Sequence, residues 1–260
     1  MNAKRPAEPP LRVAVTRDEG ADGPLAEALR RHGIQPVACP TIAEMPPLDR
    51  APLVKAATEL ERFDWLVVAS TRAVTALMEA RDAKVLPPQL RTAAVGLSTA
   101  AALLASGAVG PLTATTAGAG PLVRALRDAD RWMGKRVLLP RAAEGRHELA
   151  ESLKRWGAIP EEVIAYRTVA RPPDEIAASW RAASPQAVVV ASPSAARALV
   201  AAIGAAPLRK LEPLVAIGST TAMALVAVGV RAITPERTEF DAIAELLQRV
   251  HAWRGSETTA

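Results

Sequence analysis

The sequence is poor in cysteine and in aromatic residues. Cys39 is the single cysteine among 260 residues, which excludes an intrachain disulfide and a cysteine-based metal cluster, and aromatic residues make up only 3% of the chain. No stretch reaches the roughly eighteen apolar residues that a membrane-spanning helix needs. The first ten residues, MNAKRPAEPP, contain no apolar segment typical of a signal peptide. These absences predict a soluble, cytoplasmic protein without a membrane partner.

Several motifs of common enzyme classes are also missing. The chain has no G-x-S-x-G elbow, Walker loop or G-x-G-x-x-G fingerprint, which disfavours serine hydrolase, P-loop nucleotide and Rossmann dinucleotide chemistry. Its three histidines, His32, His147 and His251, lie far apart and none belongs to a carboxylate motif. A metal site is therefore not predicted.

The composition favours a globular protein that binds anions. Half of the residues are hydrophobic, with small aliphatic side chains dominating, which suits helices packed on a parallel sheet. The formal charge of +5 indicates an anionic partner. Lysines and arginines form no long block and few aromatic residues accompany them, so a nucleic acid is not the expected partner.

Short apolar runs of strand length alternate with helical patterns. The predicted strands are 12–16, 65–70, 92–96, 136–140, 187–192, 214–218 and 230–234. The predicted helices are 22–32, 50–62, 71–80, 98–106, 120–129, 146–156, 193–202, 219–227 and 239–250, with helix stops at Gly33, Gly107, Gly157 and Gly229. Strands that repeatedly lead into helices are typical of an α/β protein with parallel sheets.

The same strand-to-helix unit occurs twice. Residues 64–77 read DWLVVASTRAVTAL and residues 186–199 read QAVVVASPSAARAL. Ser70 and Gly96 are 26 residues apart, and so are Ser192 and Gly218. Because chance would not keep this register, we interpret the chain as an internal duplication of one α/β unit.

The two copies differ most in a segment after their first helix. These segments, 35–47 and 159–173, both end in Pro-Pro. Proline prevents helix continuation and biases the preceding residue toward extended geometry. They therefore predict two extended connectors that cross between two domains.

Hydroxyl residues and arginines stand where predicted strands end. Ligands of parallel α/β sheets bind at this edge, where helix N-termini present free N–H groups. Each hydroxyl residue taken alone is most simply an ordinary helix cap. If several of these turns face one cleft, their backbone amides would together form an anion-binding array. The arginines are either solvated or carboxylate-binding. The candidates are Ser70, Ser192, Thr220 and Thr221 among the hydroxyls and Arg17 and Arg141 among the arginines.

Tyr166 is the only tyrosine, and it lies in the second extended connector. A half-buried structural role is the common one for such a residue. Its place near the expected hinge between domains also makes it a candidate catalytic hydroxyl.

Seven segments together resemble the uroporphyrinogen-III synthase family across residues 11 to about 250. They are VAVTR, DWLVVASTRAV, AAVGLSTAAAL, GKRVLLPRAAEGRHELAESLKRWGA, VIAYRTV, AVVVASPSAA and VAIGSTTAMAL, in that order. The resemblance implies two flavodoxin-like parallel-sheet domains joined by a two-stranded linker. Residues 1–36 with 172–260 would form one domain, residues 46–160 the inserted domain, and residues 37–45 and 161–171 the linker strands.

The resemblance also implies a reaction and its participants. The reaction is the cofactor-independent cyclisation of hydroxymethylbilane, a polycarboxylate received from the preceding pathway enzyme, by a monomeric protein. Tyr166 would assist the departure of the substrate hydroxyl, and each copy would supply one wall of a cleft. The implied substrate-binding residues are Arg17, Ser70, Thr99, Arg141, Arg146, Ser192, Thr220 and Thr221.

Two other functions remain open at this point. A non-catalytic two-domain protein that binds an anionic small ligand would use the same helix N-termini. A nucleotide-binding flavodoxin relative would share the fold, although the chain lacks phosphate and flavin loops.

Overall fold

The chain forms two units, each built on a sheet with helices on its faces. The computed structural model describes residues 9–19, 23–82, 85–114, 119–237 and 239–257, with side chains as far as His251. Unit 1 comprises Met1–Ala43 and Val169–Ala260, and unit 2 comprises Glu44–Thr168. The chain therefore passes between the units twice.

Ten strands and eleven α-helices make up the described residues, together with a 3₁₀ turn at Leu60–Arg62. The strands are β1 (Arg12–Val15), β2 (Gln35–Ala38), β3 (Ile42–Met45), β4 (Trp65–Val68), β5 (Arg91–Ala94), β6 (Leu112–Thr113), β7 (Arg136–Ala142), β8 (Ile159–Ala170), β9 (Ala187–Val190) and β10 (Leu214–Ala216). The helices are α1 (Pro24–Arg31), α2 (Ala51–Thr58), α3 (Thr71–Glu79), α4 (Leu97–Ala105), α5 (Ala119–Arg127), α6 (Glu148–Arg155), α7 (Pro173–Ala183), α8 (Pro193–Ile203), α9 (Ala205–Arg209), α10 (Ser219–Ala227) and α11 (Phe240–Glu257).

The sheet of unit 1 is parallel, in the order β10-β9-β1-β2. Its central strands are buried on both faces: Val13 and Val15 pack into one apolar cluster, and Ala14 packs into another on the opposite face. Burial on two faces requires a continuous apolar run, as in a sheet covered by helices on both sides. This explains why RVAV and AVVV show no polar alternation.

The sheet of unit 2 has the order β3-β8-β7-β4-β5-β6. The strands from β8 to β6 pair in parallel. Beside β8, the Arg171 amide donates to Thr41 while the Arg167 side chain reaches Pro46, so β3 runs in the opposite direction. The chain crosses between the units within β3 and β8.

Three of the five tryptophans form a cluster in unit 2. The Trp132 ring centre lies 5.2 Å from that of Trp65 and 6.0 Å from that of Trp156. Both fully enclosed indoles find acceptors, since Trp65 Nε1 donates to Asp130 at 2.8 Å and Trp132 Nε1 donates to Leu126 O at 2.8 Å. These three large rings pack together in one hydrophobic core of unit 2 and stabilise it.

The predicted elements agree with the structure in most places. The short elements β6 and α9 were not predicted, and three longer segments also differ. Residues 230–234 form no strand, and only Ile233 makes a bridge, to Val215. Residues 37–45, predicted as one extended segment, contain the end of β2 and the whole of β3. Helix α7 was not predicted, although Pro173 stands at a favoured first position. The predicted start of the first helix, residue 22, lies outside the described residues.

Among the described residues, no helix is both long enough and apolar enough to cross a membrane.

Candidate active site

Two hydroxyl groups meet in unit 2 where β4 ends and α3 begins. Ser70 caps α3, because its Oγ accepts a hydrogen bond from the Ala73 amide at 3.2 Å. The same Oγ accepts a hydrogen bond from the hydroxyl of Tyr166 on β8, at an oxygen–oxygen distance of 3.2 Å. Two residues that sequence analysis selected separately are therefore in direct contact.

A β-bulge in β8 determines the direction of the Tyr166 side chain. The register of β7 and β8 passes from the pair Arg141–Ile164 to the pair Ala142–Tyr166, so Ala165 is an extra residue. Regular alternation would place Tyr166 on the same face as Ile164. Instead, Ala165 is buried in the apolar cluster that includes α3, and Tyr166 packs against that same cluster. The bulge therefore turns the phenol toward the start of α3.

The surroundings of Tyr166 keep its hydroxyl protonated. Burial raises the pKa of Tyr166 above its usual value, and the Glu44 and Glu144 carboxylates raise that pKa further, against the opposing effects of Ser70 and Arg72. A tyrosine that holds its proton at neutral pH acts as a hydrogen-bond donor and not as a base. Arg72 itself lies 3.7 Å from a carboxylate oxygen of Glu44.

The loop after β7 is wrapped around the Arg141 side chain. Its Nη1 donates to the carbonyl oxygens of Ala142 at 2.8 Å and Ala143 at 3.0 Å. Its Nε lies 2.9 Å from Glu162 Oε1 but outside hydrogen-bonding geometry, so that contact is mainly electrostatic. The Arg141 side chain is only 18% exposed. Predicted as a substrate-binding residue, Arg141 is here engaged by its own loop.

The same loop is attached to β8 beside Tyr166. The Ala143 amide donates to the Tyr166 carbonyl at 2.8 Å, and the Glu144 carboxylate accepts from the Thr168 amide at 3.4 Å. Arg146, further along, is exposed, and no hydrogen bond or ion pair of its side chain is found within the described ranges. Arg146 is therefore the arginine of this loop that is available to an anion.

Helix α4 begins without a side-chain cap. Gly96 precedes it with φ +86°, a conformation that side chains other than glycine rarely adopt. Leu97 is 80% exposed and Ser98 is exposed, whereas Thr99 is only 2% exposed. The first-turn N–H groups of α4 suit an anion, and Thr99 can contribute its amide but not its buried hydroxyl.

Arg17 lies just after β1 in unit 1. Its Nε donates to Glu19 Oε2 at 2.7 Å, and its guanidinium carbon lies 5.5 Å from the centre of the Phe240 ring. The other oxygen of Glu19 accepts from the Leu25 amide in the first turn of α1 at 3.2 Å. Arg17 is 40% exposed, so it keeps surface that a ligand can reach.

The remaining candidates of unit 1 lie at two helix starts. Ser192 caps α8 through a 3.1 Å hydrogen bond from the Ala195 amide. Helix α10 follows Gly218 and has no side-chain cap. Thr220 in its first turn is exposed, but Thr221 is only 4% exposed. Unit 2 thus has the serine-capped helix α3 and the helix α4 without a side-chain cap, and unit 1 has the corresponding helices α8 and α10.

The predicted site residues are divided between the units. Unit 2 holds Ser70, Thr99, Arg141, Arg146 and Tyr166, and unit 1 holds Arg17, Ser192, Thr220 and Thr221. Over the residues that the structure describes, no group of three or more histidine, cysteine or acidic side chains could hold a metal ion.

The sequence of the chain matches the model of a known family over most of its length. The profile of the family described as uroporphyrinogen-III synthase HemD matches residues 23–245. The chain belongs to the uroporphyrinogen-III synthase family.

Two curated members of this family give the extent of the similarity. The uroporphyrinogen-III synthase of Synechococcus elongatus is 32% identical over 169 residues, which are 62% of this chain and 63% of that protein. The chloroplastic uroporphyrinogen-III synthase of Oryza sativa subsp. japonica is 29% identical over 197 residues, which are 73% of this chain and 64% of that protein. The alignments therefore span a little under two thirds of each relative.

Solved structures of the family share the fold. The crystal structure of uroporphyrinogen-III synthetase from Helicobacter pylori has a TM-score of 0.60 and 18% identity, over 92% of this chain and 99% of that chain. A mutant uroporphyrinogen III synthase from Thermus thermophilus has a TM-score of 0.57 and 18% identity, over 93% of this chain and 99% of that chain. These similarities show a mixed α/β fold with parallel sheets.

The charged residues that surround Tyr166 and Arg141 were not predicted from the sequence. Glu44 and Arg72 lie near the phenol, Glu144 reaches β8 beside it, and Glu162 faces Arg141. The sequence offered one indication of them, since Glu162 lies in the same predicted connector as Tyr166. Exposed strands commonly carry charges, so the residue type alone did not distinguish them.

Proposed function

We propose that this protein is a uroporphyrinogen-III synthase that cyclises hydroxymethylbilane to uroporphyrinogen III, with inversion of ring D and loss of water. The family match over residues 23–245 carries this proposal. In the reaction, water leaves the terminal hydroxymethyl group, and the resulting azafulvene cation attacks the substituted carbon of ring D. The spirocycle then reopens and recloses. The product serves the synthesis of tetrapyrroles such as heme, siroheme and cobalamin.

A polycarboxylate substrate suits the charge of the chain and its helix starts. The net charge of +5 attracts an anion, and the uncapped helices α4 and α10 each present first-turn N–H groups. Exposed Arg146 and partly exposed Arg17 are the side chains we assign to substrate carboxylates, with the hydroxyls of Ser192 and Thr220. Buried Thr99 would contribute its backbone amide, whereas the Thr221 amide already donates to Gly218 O at 3.1 Å.

The same proposal assigns Tyr166 to the departure of the hydroxyl group. Its raised pKa supports hydrogen-bond donation by the neutral phenol. The reaction needs no cofactor, because the cation closes spontaneously and the protein chiefly imposes the geometry that leads to ring inversion. Arg141 contributes indirectly, by holding the loop that carries Arg146.

We extend the proposal to the organisation of the protein. Two flavodoxin-like domains, residues 1–36 with 172–260 and residues 46–160, would arise from an internal duplication and be joined by linker strands 37–45 and 161–171. Placement of both chain crossings within β3 and β8 supports this division. The protein would act as a monomer in the cytoplasm and receive its substrate from the preceding enzyme of the pathway.

The test is to supply the purified protein with hydroxymethylbilane made in situ and to separate the oxidised porphyrin isomers by chromatography. We expect type III product well above a control without protein, in which spontaneous closure gives type I. If the protein changes neither the isomer ratio nor the rate, the synthase proposal fails. Binding of the linear tetrapyrrole without turnover would then favour a non-catalytic anion-binding protein.

A further inference from the structure

The hydrogen-bonding capacity of Ser70 is almost fully used. A serine hydroxyl has two acceptor lone pairs and one proton to donate. The Ala73 amide and the Tyr166 hydroxyl each donate to Ser70 Oγ at 3.2 Å, which occupies both lone pairs. A phenol is a stronger acid than an aliphatic hydroxyl, so Tyr166 is the natural donor of the pair. What Ser70 has left is its own proton, for which the described residues provide no acceptor.

The position of Ser70 exposes that proton to a ligand. Ser70 is half-buried, and its neighbours Ala69 and Thr71 are exposed at the carboxyl edge of the sheet. The Tyr166 ring packs against the apolar cluster that includes α3. Ser70 thus lies between exposed neighbours at the sheet edge and contacts a phenol that is packed on the core.

Resting on the proposed function, we propose that Ser70 donates the hydrogen bond to the departing hydroxyl of the substrate and that Tyr166 is a positioning residue that acts through Ser70. Two features strengthen Ser70 as a donor. Hydrogen bonds in a chain polarise one another, so donation by Tyr166 makes the Ser70 proton more positive. The N-terminal end of the α3 dipole, at which Ser70 lies, has the same effect.

The second serine cap of the chain shows what is particular to Ser70. Ser192 caps α8 with nearly the same geometry, 3.1 Å from the Ala195 amide. In the described residues, no tyrosine or other hydroxyl donates to Ser192. The pairing with a buried phenol therefore distinguishes Ser70 from an ordinary cap.

A double-mutant cycle tests the order of the two hydroxyls. The variants are Ser70→Ala, Ser70→Thr, Tyr166→Phe and the double variant Ser70→Ala/Tyr166→Phe, each assayed for kcat and KM of type III formation. We expect Ser70→Ala to lower kcat about 100-fold, as for the loss of one well-placed donor, and Ser70→Thr to restore most of it. Tyr166→Phe should lower kcat only about tenfold, and the double variant should match Ser70→Ala within about twofold, because the residues act in series.

Several outcomes would overturn the inference. Tyr166→Phe losing more activity than Ser70→Ala would place the phenol, not the serine, against the substrate. Losses that multiply in the double variant would show independent roles. If the wild type forms no type III product, the proposed function itself fails; if it does and Ser70→Ala retains full kcat, only the present inference fails.

Two controls separate chemistry from folding. Ser192→Ala removes the equivalent helix cap, so the melting temperatures of Ser192→Ala and Ser70→Ala should fall by similar amounts, and assays are run well below both. Because Tyr166 is the only tyrosine, ultraviolet titration reports its ionisation without any assay of activity. Ser70→Ala should raise the pKa of Tyr166, since the serine hydroxyl can no longer donate to the phenolate. An unchanged pKa would refute the contact on which the inference rests.

Discussion

Arg141→Met tests whether the Arg141 guanidinium holds the loop after β7. Methionine preserves much of the length and apolar stem of arginine but has no donor. In the wild type, Arg141 donates to Ala142 and Ala143 within 3.0 Å and faces Glu162 at 2.9 Å, with 18% of its side chain exposed. The substitution leaves two carbonyls and one carboxylate without their cationic partner. We expect unit 2 to lose stability.

The expected loss follows from the burial of these contacts. A hydrogen bond to a charged group contributes about 1.5–3 kcal/mol, and the contributions do not add fully because water replaces part of what is lost. We expect Arg141→Met to lower the free energy of unfolding by about 2–4 kcal/mol. Arg17→Met is the control: in the described residues Arg17 has one ion pair, with Glu19, and Arg17 is 40% exposed whereas Glu19 is 9% exposed. Because one partner of this pair is open to water, we expect a smaller loss for Arg17→Met, about 1–2 kcal/mol.

Urea unfolding followed by tryptophan fluorescence measures the difference. Trp65, Trp132 and Trp156 are clustered in unit 2, so their emission reports on the unit that contains Arg141. Each variant is compared with the wild type at the transition of its own unit, because two units need not unfold together. Trp180, which packs against a core cluster of unit 1, reports the transition for Arg17→Met. A loss for Arg141→Met no larger than that for Arg17→Met would refute the loop-holding role. Unchanged stability combined with a raised KM would instead make Arg141 a direct substrate contact.

Three further measurements test other features of the structure. Ultraviolet titration of the folded protein should place the Tyr166 pKa above the ordinary value of about 10. Glu44→Gln should lower this pKa by removing a nearby negative charge. A wild-type pKa at or below about 10 would contradict the burial of the phenol. Because burial raises the pKa of Cys39 to about 11, thiol reagents at mildly alkaline pH should label the native protein slowly and the urea-unfolded protein rapidly; equal rates would refute its burial. Gly96→Ala should destabilise by about 1 kcal/mol because of its φ of +86°, whereas Gly218→Ala, at φ −157°, should cost less; equal melting temperatures would contradict the strain argument.

The predictable part of the fold consists of strands and helices with strong patterns. Strands such as β4 and β9, with all four residues buried, show continuous apolar runs because both faces are covered. Helix ends were marked by glycines, and Gly33 and Gly157 adopt φ of +70° and +86° just after α1 and α6. In these places local chemistry and tertiary packing favour the same structure.

The elements that were missed have weak local patterns. Helix α7 buries only Ile176 and Ala183 in eleven residues, so no apolar stripe indicates it. Its two prolines, Pro172 and Pro173, favoured the end of an extended segment over the start of a helix. The segment 230–234 has strand-like composition, but only Ile233 bridges to β10. Tertiary packing, rather than propensity, decides such segments.

The candidate site was predictable as a list of residues but not as a set of contacts. Ser70 was identified because it follows a strand, and Tyr166 because it is the only tyrosine. Their contact depends on the bulge at Ala165, and an alanine inside an apolar stretch gives no sign of a bulge. The partners of Arg141 were hidden for a similar reason, since they are mostly backbone carbonyls of the following loop.

Ser70 and Ser192 lie in the two similar segments 64–77 and 186–199, but their surroundings differ chemically. Ser70 and Ser192 cap their helices alike, yet in the described residues only Ser70 accepts a hydrogen bond from a phenol. The phenol comes from β8, a strand of twelve residues whose bulge turns Tyr166 toward α3, whereas the other connector is divided into the short strands β2 and β3. The extra length of β8 therefore gives unit 2 a hydroxyl pair that unit 1 does not have among its described residues. For the proposed reaction, this pair assigns the hydroxyl-expelling step to the carboxyl edge of unit 2.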